Sequence, residues 1–179
     1  DIYKTLLSSG TTSQKKSMIC LDKINARNQT LALSNIFTAS TGYKRPNILI
    51  VDSPSLLKNR KKFNARVAAI IGFSSLCRKS EYALNDDYSI NINKLEYFLD
   101  KYSSQPLVIF GFTSIIWKYF LQTKLPKEVR EKFSKQSIMI HGGGWKNLEK
   151  LYINRKHFKD KVREIVGIKK ITNYYGMIE

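Results

Sequence analysis

The chain has 179 residues, 42% of them hydrophobic and 25% charged, which is enough for one domain with a full apolar core. Its formal charge of +17 is the one unusual total, but the lysines and arginines are spread along the chain and the densest run, Lys58–Lys62, is short. No zinc-finger, helix-turn-helix or aromatic RNA-binding signature accompanies that charge, so it reads as a solvated surface rather than a nucleic-acid footprint. No apolar run approaches the roughly 18 residues of a spanning helix, since Leu107–Leu121 is interrupted by Gly111, Thr113, Ser114 and Lys118. Cys20 and Cys77 lie far apart and fit no metal-ligand spacing, and no export leader is visible at the N-terminus. These features predict a cytoplasmic protein with two free thiols.

In chain order, Tyr3–Leu7 reads as a short strand running into a Ser/Gly/Thr loop. From Leu21 to Phe37 the apolar residues Leu21, Ile24, Leu31 and Phe37 recur at helical spacing. Asn47–Asp52 is a continuous apolar run ended by Ser53-Pro54, the pattern of a buried strand. Arg66–Phe73 fits a buried strand or a short helix, with the balance toward helix. Asn93–Tyr102 is predicted helical, Leu107–Phe110 a strand stopped at Gly111, and Thr113–Gln122 a helix ended by the approach to Pro126. Ser137–His141 is a strand stopped by three glycines, Lys156–Val166 a helix capped by Gly167, and Lys170–Tyr174 a last strand stopped by Gly176. Strand, helix, strand at this spacing predicts an α/β fold with a largely parallel sheet and flanking helices. Ligands of such sheets sit beyond the carboxyl ends of the strands, where both Gly142-Gly143-Gly144 and Tyr175-Gly176 fall.

Three segments carry residue types suited to chemistry. Ser8-Ser9-Gly10-Thr11-Thr12-Ser13-Gln14-Lys15-Lys16 offers hydroxyl donors, one permissive glycine and lysine charge to a polyphosphate, and it lacks the Walker spacing. His141-Gly142-Gly143-Gly144-Trp145-Lys146 follows a buried strand, and its glycines would let something planar lie against the backbone. Tyr174-Tyr175-Gly176-Met177-Ile178-Glu179 pairs an aromatic face with a carboxylate able to take Mg²⁺. Each also has a plainer reading: a Ser/Thr turn, a tight strand-to-helix turn around a packed histidine, and a strand-end turn with a surface glutamate.

Taken in order, the three segments resemble the adenylate-forming superfamily of acyl-CoA synthetases, luciferases and peptide-synthetase adenylation domains. Ser8, Ser9, Gly10, Thr11, Thr12 and Lys16 match its phosphate loop in type, and Tyr175, Gly176 and Glu179 match its later Tyr-Gly-x-Thr-Glu motif. Ser13, Lys15, Ser17 and Ile178 depart from the pattern. SSGTTSQ, GFSSLCRKSEYAL, FGFTSIIW, IHGGGWKNLEKL and YYGMIE together look like the acyl-protein synthetase branch, the long-chain fatty acid–protein ligases.

That resemblance implies a ligase that uses ATP and Mg²⁺ to turn a carboxylic acid, a long-chain fatty acid in this branch, into its acyl-adenylate and then acylates a protein thiol. Ser8, Ser9, Gly10, Thr11, Thr12 and Lys16 would hold the phosphates; Gly142, Gly143, Gly144, Tyr175 and Gly176 would line the adenine. Gly111, Phe112 and Thr113 would border the acyl group, Glu179 would bind Mg²⁺, and His141 and Lys16 would be the catalytic candidates. The resemblance further implies that residues 1–179 form part of the large N-terminal domain, without the mobile C-terminal domain and its lysine, and that this piece alone is inactive. The partner would be an acyl-acceptor protein such as a reductase. Two alternatives stay open on sequence alone: an acyl- or aryl-CoA ligase, and a basic module binding nucleic acid or another anion. Acyl chain length, final acceptor and oligomeric state are not written in the residues.

Overall fold

The computed structural model of the protein describes residues 1–7, 18–57, 65–133 and 137–175. Its centre is a five-stranded sheet of β3 (Asn47–Ile50), β4 (Ser80–Tyr82), β5 (Leu107–Phe112), β6 (Ile138–Gly142) and β7 (Lys170–Asn173), with the apolar runs in β3, β5 and β6. The order is β4-β3-β5-β6-β7 and every neighbouring pair is parallel. Parallel strands need helical crossovers, and crossovers cover both faces, which is why β3, β5 and β6 are apolar without alternation.

The twofold period of the strands sorts their side chains into two cores. Ile48, Ile50, Val108, Phe110, Ile138 and Ile140 face α1 (Lys23–Thr41) and α2 (Ala65–Ser75), meeting Phe37, Ile70 and Phe73. Leu49, Val51, Leu107, Ile109 and Met139 face the other way. There they pack on α3 (Ile92–Lys101), on the segment after β5, on α5 (Lys127–Glu131) and on α7 (Arg155–Val166). The chain leaves β3 for β4 on one side, whereas β5 continues to β6 on the other. The crevice between the carboxyl ends of β3 and β5 is therefore the topological switch point, where ligands of doubly wound sheets bind.

Local signals explain the boundaries. Asp22, Asn91 and Asn154 N-cap α1, α3 and α7 by accepting from the backbone N–H groups of Asn25, Lys94 and His157. Gly167 ends α7 in the left-handed conformation, as expected from the sequence.

Several expectations are corrected. The helix expected from Leu21 starts at Lys23, because Met18–Leu21 forms a strand, β2, antiparallel to β1 (Lys4–Leu7). The ambiguous Arg66–Phe73 run is helical. β4 was not foreseen, since Ser80-Glu81-Tyr82 carries no apolar run. Gly111 does not stop β5: it pairs with His141, and the strand runs on to Phe112. Its missing Cβ is what permits this, because one added there would lie 3.0 Å from Ile116 Cγ1 and 3.1 Å from Val51 Cβ. The helix expected over Thr113–Gln122 is a single turn, α4 (Thr113–Ile115), passing into a π-helical stretch at Ile116–Phe120. A short helix, α6 (Trp145–Glu149), follows the glycines. The lysine run 58–62 lies outside the described residues.

Candidate active site

The ladder of the sheet brings the candidate segments side by side. Gly111 pairs with His141, Phe112 with Gly142, and His141 with Asn173, while the Tyr174 N–H donates to the His141 carbonyl at 2.6 Å. The candidate acyl segment, the glycine string and the aromatic pair thus occupy adjacent strand ends on one edge of the sheet.

His141 is 2% exposed. Its ring lies 4.5 Å from Phe158 and 5.8 Å from Trp145, and Nδ1 is 2.9 Å from the hydroxyl of Thr113, itself fully buried. Burial, then the nearby cations Lys159 and Arg155, push its pKa down to about 4, so the ring is neutral at neutral pH. As placed, it is a packed histidine in hydrogen-bond contact with the residue that follows β5.

The glycines are demanded by the chain's own packing. A Cβ at Gly142 would strike the Tyr174 carbonyl, one at Gly143 would stand 2.7 Å from the Phe112 ring, and one at Gly144 would strike the Ser114 hydroxyl. Gly143 and Gly144 also have φ of 67° and 76°. The flat backbone expected from sequence is thus largely filled on its Cβ side by Phe112, Ser114 and Tyr174.

The extended chain after β7 separates the two tyrosines. Tyr174 turns inward, its ring edge-on to Phe73 at 5.0 Å, while Tyr175 is 78% exposed. Gly176 and Glu179 lie outside the described residues, as do Ser8, Ser9, Gly10, Thr11, Thr12 and Lys16. Leu7 and Met18, which flank residues 8–17 in sequence, pair across β1 and β2. Among the described residues no cluster of three or more His, Cys, Asp or Glu side chains is arranged to hold a metal. Cys77 is buried, which pushes its thiol up to about 12, whereas Cys20 is exposed.

Sequence reasoning missed one set of groups on this edge. Asp52, two residues past the end of β3, is fully buried, and its carboxylate accepts from Arg66 Nε at 2.7 Å and Nη2 at 2.5 Å. The signal was present: a carboxylate closing a buried apolar run must find a cation or donors. No local spacing named Arg66, 14 residues on.

A five-stranded parallel sheet wound in both directions, with its distinctive side chains on the carboxyl edge, is a doubly wound α/β domain. The family model described as acyl-protein synthetase, LuxE, matches residues 1–179, and the chain belongs to that family. Membership makes it a ligase that acts on acyl groups. No curated protein matches the chain. No helix among the described residues is long and apolar enough to cross a membrane.

Proposed function

We propose that the protein joins a long-chain fatty acid to AMP at the expense of ATP and passes the acyl group to a protein thiol. A carboxylate oxygen attacks the α-phosphorus, the bond to the β-phosphate breaks, and pyrophosphate leaves. The acceptor thiolate then attacks the acyl carbonyl, and AMP departs. The acid is already a nucleophile, so no general base is required, and the protein's task is positioning and charge stabilisation.

The observation that carries this reading is the register Gly111–His141–Asn173, which lines up three family-like segments at one sheet edge. In this reading Gly111, Phe112 and Thr113 border the acid, and Gly142, Gly143 and Gly144 back the adenine through their amide side. Tyr175, exposed, stacks on the purine beside Gly176. Ser8, Ser9, Gly10, Thr11 and Thr12 donate to the phosphates, and Lys16 neutralises charge developing on the leaving pyrophosphate. Glu179 would hold Mg²⁺, whose contribution is to offset phosphate charge. His141 acts as a positioning residue, through its contact with Thr113. The acceptor is a protein such as a reductase.

The test is acid-dependent exchange of labelled pyrophosphate into ATP by the intact protein, followed by acyl transfer to a cysteine-bearing protein or to coenzyme A. Exchange with long-chain acids and transfer to the protein acceptor are expected. No exchange with any carboxylic acid would overturn the adenylation reading, and transfer to coenzyme A alone would overturn the acceptor.

A further inference from the structure

The groups assigned above leave unused the corner where α6 gives way to α7, directly beyond the glycine string. Trp145 follows Gly144, and its ring lies 5.8 Å from those of His141 and Phe158. Gly144 itself leaves no room for a side chain beside Ser114, in the segment after β5. A cavity of about 440 Å³ opens beside the indole, lined also by Tyr152, Ile153, Asn154 and Arg155 and bordered by Glu149. The corner therefore sits next to the strand end that backs the adenine in the adenylation reading.

Two features of this corner point to a partner. The first is apolar surface on a rigid support. Leu151 and Tyr152 are consecutive and 61% and 93% exposed, and Tyr152 holds a left-handed φ of 55°, uncommon for a bulky residue. The turn is fixed from within: the Leu148 carbonyl accepts from the N–H groups of Leu151 and Ile153, and the Glu149 carbonyl accepts from that of Tyr152. Leu148 and Ile153 are themselves buried in the core. Side chains displayed on a corner already held in place lose little freedom when a partner covers them. The second feature is charge. Within α7, Lys156, Lys161 and Arg163 are matched by Asp160 and Glu164. Arg155 and Lys159 have no ion pair among the described residues, although they stand one turn apart. Like charges four residues apart repel, and a cation in the first turn of a helix opposes its dipole. Residues 145–159 contain four lysines and one arginine against one glutamate, so an acidic surface would relieve that repulsion.

We propose that this corner docks an acidic segment of the acyl-acceptor protein, with Leu151 and the Tyr152 ring packing on it and Arg155 and Lys159 meeting its carboxylates. The inference rests on the reading that a protein thiol takes the acyl group, and it names the surface that brings this thiol to the adenylate. Tyrosine, tryptophan and arginine around a pocket are the residue types that carry most of the binding energy in protein interfaces. Unmatched cations speed the encounter with an acidic partner and make it sensitive to salt.

The test uses the intact chain and two labelled peptides of equal length, each carrying a cysteine and a phenylalanine, set among aspartates in one and among lysines in the other. Fluorescence anisotropy should show binding of the aspartate peptide alone. Arg155→Glu should weaken it about tenfold, and Tyr152→Asn, which suits a left-handed backbone, by a similar factor. Lys44→Glu makes the same change in net charge at the amino edge of the sheet, just before β3, and should weaken binding by less than about twofold. Glutamate at the start of α7 agrees with the helix dipole, so the effect of Arg155→Glu is not a loss of folding. Acylation of the peptide thiol should fall with binding, while pyrophosphate exchange stays within about twofold. Equal losses in the Arg155 and Lys44 variants would reduce the effect to net charge and overturn the docking surface, leaving adenylation standing. An oligothymidylate of matched charge that displaces the peptide, and loses affinity equally in the variants, would make the corner a general anion site and overturn the protein partner. Failure of exchange in the unaltered protein would overturn the adenylation reading, and with it this role, whatever the peptides bind.

Discussion

His141 and Asp52 are both buried, both stand at the carboxyl edge, and their strands β6 and β3 flank β5, yet the fold treats them in opposite ways. His141 is surrounded by Phe158 and Trp145, near Lys159 and Arg155, so the environment withholds its proton. Asp52 is given a cation in a two-pronged grip, and that same cation is extended to Tyr88. Burial and the Asp52 contacts work against each other on Arg66, and the Asp52 and Tyr88 contacts win, raising the guanidinium pKa. One half of the edge is thus neutral and closely packed, while the other is charged and tied across layers. A buried ionisable group is stable either by giving up its charge or by acquiring a partner, and this edge does both within three strands.

The largest test of this contrast removes the partner. Arg66→Met leaves Asp52 buried without its cation and should cost about 3–5 kcal/mol in urea unfolding. A loss of under about 1 kcal/mol would show that Asp52 gains water or a new donor instead. The neutral half is tested by pH. The His141 pKa is about 4 in the fold against an ordinary 6.5, so between those values the unfolded chain binds a proton that the folded chain refuses. Stability from this group is therefore complete above pH 6.5, declines as pH falls, and levels off below about 4. The total loss is about 3 kcal/mol. The difference in unfolding free energy between the unaltered protein and His141→Gln, followed from pH 7.5 to 4.5, should carry that slope; a flat difference would place the histidine in contact with water. The smallest effect concerns the packing between these halves. Gly143→Ala combines a left-handed φ with a methyl against the Phe112 ring and should cost about 1–3 kcal/mol, read as a lowered urea midpoint.

Much of this was legible from local pattern. Apolar runs marked β3, β5 and β6, and helical spacing together with Gly167 marked α7, because burial on two faces and helix capping are written within a few residues. Gly111 misled, since a glycine in an apolar run serves equally to end a strand or to admit Val51 and Ile116 against it. β4 escaped because a short strand beside a partner needs only backbone pairing, which leaves little trace in side-chain pattern, whereas β2 was passed over although Met18–Leu21 is an apolar run. The glycine string was recognised, but its reason was not: the three hydrogens face Tyr174, Phe112 and Ser114, which lie far away in sequence.

By itself, the sequence determined the class of fold and the family, through periodicity and through motif residues whose types and order survive without coordinates. Only the tertiary structure decided which groups share an edge, that His141 is sealed and neutral, and that Arg66 joins Asp52 to Tyr88. The physical reason is that strand order and side-chain burial depend on contacts between distant residues, and a charge's fate depends on who else is brought beside it.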